Sequence, residues 1–463
     1  MRILKLIILI AIFSYSNKIF PQLSLPSVFG DNMVLQRNSK VPVWGWATPG
    51  ETVQIRTSWN DNPILATAGE DGKWKIILTT PELRGPQEIQ IFAKDTIILN
   101  NVLLGEVWLA SGQSNMEWSA AAGIENATKA IAGADNPNIR FFTVPHRTSE
   151  KPEKDLQGEW VQSTPETMKD FSAVAYFFAG KLNQLLDVPI GIIHSSWGGT
   201  PAEAWTPEKV ILNDPELIKA AALLPYKKWD TNQPGEIYNG MIAPLIPFKI
   251  AGVIWYQGEA NTPNAAYYQE VFSSLIRSWR DQWDDDFPFL FAQIAPFDYG
   301  ENDWGVMIRD AQRRVLDQVQ ETAMVMTSDI GDTTDIHPKN KLDVGIRFAN
   351  LALAGTYGKD IPAYPPLPKI TETKNNRLIL EFKNAEGLTL RSGEIATDFE
   401  IAGKDQIFHT ANAILKGEQV ILSSDRVKDP VYLRYSWGNT SLPNIYNAAG
   451  LPLTSFLMKV GKE

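Results

Sequence analysis

The sequence predicts an α/β core flanked by β-rich regions. Three observations carry this. Short strand-like runs fill residues 22–100, strand and helix patterns alternate from about residue 104, and short strands return after a proline-rich stretch near residue 361.

In the first region, "VPVWGWA", "ETVQIRT", "KWKIIL" and "EIQIFAK" are short, and several alternate apolar and polar residues. Gly, Pro, Asn and Asp separate them, which is the spacing of a small β-sandwich. In the middle region, apolar runs occur at 107–110, 188–194, 250–256, 289–295 and 323–328. Between them, "FSAVAYFFAGKLNQLL", "AAYYQEVFSSLIRSWRDQW" and "VMIRDAQRRVLDQVQ" have apolar residues at helical spacing, the first with Ser172 as its N-cap. Such alternation predicts a parallel sheet covered on both faces. The connections 119–170 and 205–247 exceed a minimal unit and read as insertions. "IPAYPPLPK" reads as a linker, and "RLILEF", "DFEIAG", "QVILSS" and "VYLRYSW" predict a C-terminal β-region. The expected domains are 22–103, 104–362 with its insertions, and 363–463.

With 463 residues, 44% of them hydrophobic and 21% charged, the chain has ample material for a core. The net charge of -10 comes with no basic block, so neither nucleic acid nor a membrane is an expected partner. Cysteine is absent, which excludes disulfides, thiolate nucleophiles and zinc-thiolate sites. At the N-terminus, Arg2 and Lys5 precede an apolar run from Leu6 to Phe13, followed by Ser14 and Ser16. The run is too short to span a bilayer and reads as an export signal, 1–21, with cleavage between Ser16 and Leu23. The expected location is periplasmic or secreted.

Ligands of open parallel sheets bind at the carboxyl ends of the strands. The exits here read "SGQSNME", "SSWGGTPAEAW", "QGEAN" and "DIGDTTDIHPKNK". Ser114, in the first, is the candidate nucleophile. A serine nucleophile needs a base of near-neutral pKa, and the chain holds four histidines: His146, His194, His337 and His409. His194 sits in an apolar strand and reads as structural. His146 lies in an insertion and His409 in the C-terminal β-region. His337 follows a strand exit with Asp335 two residues before it, close enough to orient the imidazole, and Asp332 is the alternative acid. Oxyanion donors are expected from the backbone of Gly198 or Gly199 and from the amides of Gln257 or Asn261. The other reading of "WGGTP" is a turn before a helix capped by Thr200 with Pro201 at its first position. A carboxylate at Glu259 would repel an oxyanion, so Glu259 is expected to brace loops or to pair with a cation such as an arginine. "GQSN" lacks the last glycine of G-x-S-x-G, so the strained elbow of α/β-hydrolases is not predicted.

Together "GQSNM", "WYQGEAN" and "DIHPKNK" resemble the SGNH-hydrolase superfamily. More narrowly, they look like its sialate O-acetylesterase and acetylxylan-esterase-like carbohydrate esterases. "LPSVFGDNMVLQR…VPVWGWA" and "PNIYNAAGLPLTSF" extend the resemblance over nearly the whole mature chain. It implies a flavodoxin-like three-layer α/β/α domain with no cofactor and no metal. It further implies Ser114 as nucleophile, His337 as base, Asp335 as the third member, and an oxyanion hole from the Ser114 N–H, a glycine of "WGG" and an amide of "QGEAN". The wider superfamily places its acid three residues before the histidine, where Thr334 stands here. It also carries G-x-N where Gly258 is followed by Glu259, Ala260 and Asn261.

The function expected is removal of O-acetyl groups from a carbohydrate through an acetyl-enzyme, with sialate esters first and acetylxylan or another polysaccharide as the alternative. Trp118, Trp197 and Trp205 adjoin the motif loops as candidate sugar-stacking residues, whereas Trp74 and Trp108 read as packing. Two other classes compete. One is a secreted, non-catalytic carbohydrate-binding protein. The other is a glycoside hydrolase using Glu259 with Asp329 or Asp332.

Overall fold

The computed structural model describes residues 22–225, 232–374 and 377–460. The expected export signal, 1–21, lies outside the described residues.

The N-terminal region contributes β1 (Val34–Gln36), β2 (Ser39–Trp46), β3 (Thr52–Thr57), β4 (Asn60–Thr67), β5 (Lys73–Thr80) and β6 (Gln87–Phe92). β2 pairs with β5, while β4, β3 and β6 form a second antiparallel layer. Alternation in β5 puts Trp74, Ile76 and Leu78 inward, onto Val53, Ile55, Ile89 and Ile91.

The next strand, β7 (Thr96–Gly112), is 17 residues long. Its first half pairs antiparallel with β6. Its second half is the central strand of the α/β sheet, flanked by β10 (Ile190–Ser196) and β11 (Gly252–Tyr256). The expected boundary at residue 103 therefore falls inside one continuous strand. Burial changes along it as pairing does. Exposed and covered residues are mixed up to Asn101, and every residue from Val102 to Gly112 is buried, as a parallel strand covered on both faces requires.

Parallel strands β12 (Phe289–Ala292) and β13 (Thr322–Val325) continue the sheet beyond β11. Beyond β10 lie β8 (Asn136–Thr143), parallel, and β9 (Trp160–Ser163), antiparallel at the edge. Both belong to the long 119–170 connection, so that insertion widens the sheet. Without them the order β10-β7-β11-β12-β13 is the flavodoxin order, 2-1-3-4-5, with its switch point between β7 and β11.

Successive side chains of each strand point to opposite faces. Val107, Leu109, Val253, Trp255, Phe289 and Phe291 face one core with Phe272, Leu275 and Trp279 of α3 (Tyr268–Trp283) and Ile308 and Val315 of α4 (Trp304–Gln318). Trp108, Ala110, Ile192, Ile254, Tyr256 and Ala292 face the other, with Val174, Phe178 and Leu182 of α2 (Ala173–Leu186) and Val344, Phe348 and Leu351 of α5 (Lys341–Gly355). Helices therefore cover both faces, giving the three-layer α/β/α arrangement. The helix starts follow the capping rule: Ser172 accepts from the Ala175 N–H and Asn340 from the Asp343 N–H. Trp205 is a correction. It is fully buried, edge-on to Trp255 at 5.9 Å, and is a core residue rather than a sugar platform.

After residue 366 come two four-stranded antiparallel sheets. Leu378, Leu380, Val420 and Leu422 of one and Ile401, Leu433, Tyr435 and Phe456 of the other form a third core. This β-region is fixed to α4 by Arg309, which is fully buried and donates to the carbonyls of Gly438 and Asn439. No described helix is long and apolar enough to cross a membrane.

Candidate active site

β7 ends at Gly112, and its geometry explains why glycine stands there. Its φ is 136°, and a Cβ would lie 2.2 Å from the Tyr256 carbonyl oxygen of β11. The chain can leave the sheet this close to β11 only without a side chain. Gln113 donates its N–H to Tyr256 O and the Trp197 N–H donates to Gly112 O, so the exits of β7, β10 and β11 are tied together. The short helix α1 (Ser114–Glu117) starts immediately and puts Ser114 at its N-terminus, at the switch point of the sheet.

His337 reaches Ser114 from the loop between β13 and α5. Its Nε2 is 2.9 Å from Ser114 Oγ. The imidazole stacks on Trp118, with ring centroids 4.3 Å apart and planes 17° from parallel. Partial burial, and next the positive charge of Lys341, hold the His337 pKa below the usual histidine value, against the opposing pull of Asp335. The ring is therefore neutral near pH 7, the form a general base requires.

Asp335 accepts the backbone N–H of His337 at 2.9 Å, and its carboxylate oxygen is 3.9 Å from Nδ1. That separation is beyond a hydrogen bond but within electrostatic reach. Catalytic contacts of this kind commonly shorten once substrate is bound. Asp332 is engaged elsewhere: one of its oxygens accepts from the Thr334 N–H, the Thr334 hydroxyl and the Asp335 N–H, forming the exposed turn before the histidine.

The amide expectations need correction. Both hydrogens of the Gln257 amide are taken, by Thr200 O at 3.2 Å and Asn261 Oδ1 at 2.7 Å. Both hydrogens of the Asn261 amide go to Glu203 at 2.8 Å and Asn264 at 3.1 Å. Neither side chain is exposed. Asn261 satisfies a buried carboxylate, Glu203, whose pKa burial pushes up, Gln257 holds Asn261 in turn, and neither amide has a hydrogen left for an oxyanion. Gly198 does lie beside the nucleophile, since a Cβ on it would be 3.3 Å from Ser114 Cβ. Its N–H, however, donates to Glu117 Oε2 at 2.7 Å. Among the expected oxyanion donors, the Ser114 backbone N–H has no hydrogen-bond partner among the described residues, whereas those of Gly198 and Asn261 are taken by Glu117 and Gly258.

Thr200 is not a helix cap. It donates to Trp197 O and accepts from Trp205 Nε1, and the segment after it is a single 3-10 turn, Ala202–Trp205.

Beneath the site is a polar chain that links three motif loops. Asn115, next to the nucleophile, is fully buried. It donates to Glu259 Oε1 at 2.6 Å and to Ile336 O at 3.0 Å, and it accepts from Lys341 Nζ at 2.6 Å. Glu259 therefore braces the loops as expected, but the cation at the far end of its link is Lys341 rather than an arginine. Burial raises the Glu259 pKa and lowers that of Lys341 to about 7. Paired-carboxylate chemistry finds no support here. Asp329 is clamped by both guanidinium nitrogens of Arg347, and Asp332 shapes a turn.

Two groups escaped the sequence reading. Glu117 is three residues after Ser114 and so on the same face of α1, a spacing that was legible. His146 comes from the insertion, and nothing in its local sequence marks it. Its Nε2 is 2.9 Å from Glu117 Oε1 and 3.0 Å from Ser196 O, and its ring stacks on Trp197 at 4.5 Å. The remaining histidines are remote from this chemistry or inert. His194 is buried, held to about 4 mainly by desolvation, and its Nε2 is 2.5 Å from Ser196 Oγ. His409 begins a two-residue strand of the C-terminal region. Among the described residues no group of three or more His, Asp or Glu is arranged to hold a metal ion.

Residues 104–354 match the family model described as carbohydrate esterase, sialic acid-specific acetylesterase. The sialate O-acetylesterase of Homo sapiens is 31% identical, with 75% of this chain and 73% of that protein aligned. That of Pongo abelii is 28% identical over 93% of this chain and 91% of its own length. A crystal structure of a carbohydrate acetylesterase from Xanthomonas citri is 36% identical, covers 94% of this chain and 99% of that one, and superposes with a TM-score of 0.85.

Proposed function

The chain belongs to the carbohydrate esterase family of sialic acid-specific acetylesterases and is a carbohydrate O-deacetylase; on that premise we propose that Ser114 is its nucleophile, His337 its general base and an O-acetylated sialic acid its substrate. The observation that carries the assignment is the 2.9 Å contact between Ser114 Oγ and His337 Nε2 at the switch point of the sheet.

In this reading His337 takes the Ser114 proton as Oγ attacks the acetyl carbonyl. The oxyanion develops against the Ser114 N–H. Asp335 stabilises the imidazolium through space. His337 then protonates the departing sugar oxygen, and the same imidazole activates the water that releases acetate. The sialate assignment leans on what the human and orangutan relatives are named for. The Xanthomonas relative is named only for carbohydrate acetyl esters, so acetylxylan is the competing substrate.

The experiment is acetate release from O-acetylated sialic acids and from acetylated xylan fragments, with wild-type protein and Ser114→Ala. Release from sialates should dominate, and Ser114→Ala should lower kcat by about 10⁴-fold or more with an unchanged circular dichroism spectrum. Full activity in that variant removes Ser114 from the mechanism, and preference for xylan replaces the substrate assignment. We also infer export, from the N-terminal pattern. N-terminal sequencing of the mature protein should begin between residues 17 and 23, and an intact Met1 would refute it.

A further inference from the structure

Glu117 and His146 stand beside the nucleophile, yet the ester chemistry does not use them. The Cβ position of Gly198 is 3.3 Å from Ser114 Cβ and 3.3 Å from Glu117 Oε2, so the serine and the carboxylate flank the same point. Both side chains are open to solvent: Glu117 is 35% exposed and His146 42%. His146 directs Nε2 at Glu117 Oε1 and Ser196 O, and its Nδ1 has no hydrogen-bond partner among the described residues. Glu117 makes one contact with each oxygen, leaving lone pairs unused on both. Trp197 backs the imidazole and fixes its plane.

We propose that the Glu117–His146 pair is a subsite for the alcohol half of the substrate, gripping a free hydroxyl on the carbon next to the acetylated one. The hydroxyl donates to the Glu117 carboxylate and hydrogen-bonds to the Nδ1 of His146. The inference rests on the reading of Ser114 as nucleophile, since that sets where the acetylated carbon lies.

Charge narrows what the subsite takes. Against the opposing effect of burial, His146 and the Gly198 N–H lower the Glu117 pKa, and the hydrogen bond to Glu117 raises that of His146. The imidazole is already paired with the carboxylate, and the two stand side by side. The pair offers no spare cation to a sugar carboxylate, and it matches a hydroxyl, which both donates and accepts. A small acetyl group gives little to discriminate on the acyl side, so selection must come from contacts of this kind.

The test compares Glu117→Gln and His146→Ala on two esters: 4-nitrophenyl acetate, which has no sugar, and a mono-O-acetylated sugar with and without the neighbouring hydroxyl. Hydrogen bonds to charged groups of this strength predict that the ratio of kcat/KM, sugar ester over aryl ester, falls about 10–100-fold in each variant, chiefly through KM. Removing the neighbouring hydroxyl should cost the wild type a similar factor and cost the variants little. Equal proportional loss on both esters, or a wild type indifferent to that hydroxyl, overturns the subsite. Thermal melts that match wild type exclude misfolding. Activity surviving Ser114→Ala would instead strike the nucleophile assignment, so the two failures are distinguishable.

Discussion

Lys341→Met tests the buried chain under the nucleophile through its pH dependence. A lysine whose pKa falls from 10.5 to about 7 on folding has given up stability to burial. The unfolded chain binds this proton more tightly, so its contribution to stability rises with pH between about 7 and 10.5 and is flat below that window. At about 1.4 kcal/mol per pKa unit the whole effect is about 5 kcal/mol, of which roughly 3 kcal/mol develops between pH 7 and 9.5. Methionine has similar volume and no proton to lose. It leaves Asn115 Oδ1 without its donor, a cost of about 1–3 kcal/mol that does not vary with pH. Glu259 works in the same direction. Its carboxyl is already raised by burial, and without the facing cation it is harder to ionise as pH rises. The assay is urea unfolding of both proteins at pH 7 and 9.5. Wild type should gain about 3 kcal/mol relative to the variant between the two pH values, and buried tyrosines cancel in the comparison. A difference that stays constant across that range would show that Lys341 titrates as an ordinary surface lysine and would refute the reasoning.

The same substitution removes the cation that opposes His337 protonation, so the acid limb of the kcat/KM profile should move to higher pH, and an unmoved limb would contradict that coupling. Asp335→Asn should lower kcat clearly more than Asp332→Asn, measured on any acetyl ester, because only Asp335 lies within electrostatic reach of Nδ1. Gly112→Ala should lower both the melting temperature and kcat, because its methyl group would meet the Tyr256 carbonyl; a variant with wild-type stability would contradict that geometry. Gln257→Ala should act mainly on stability, by about 1–3 kcal/mol in denaturant unfolding, as it strips bonds from a buried network rather than from the oxyanion.

Much of the site was legible because strand exits concentrate chemistry: Ser114 and His337 both follow predicted strands, and the sheet brings them together across 223 positions. Ser172 announced its helix because capping is local. The amides of Gln257 and Asn261 were misjudged because a side chain's direction depends on the turn between them. Gly258 has a φ of 153° and the chain enters 3-10 turns at Glu259, swinging both amides inward. Residue type alone does not say which way such a turn faces. Lys341 read as one more polar residue in "HPKNK", although it is buried. His146 gave no signal, since its partner Glu117 is 29 residues away on another element.

The strand Thr96–Gly112 has a further consequence. It works as a single beam, anchored at one end in the N-terminal β-layers and carrying the nucleophile just past the other. The strand passes from one module to the other through a single left-handed residue, Asn101, and a cut near residue 103 would leave a severed ribbon protruding from each half. Expression of 104–354 by itself should therefore give an aggregating fragment instead of a small working enzyme.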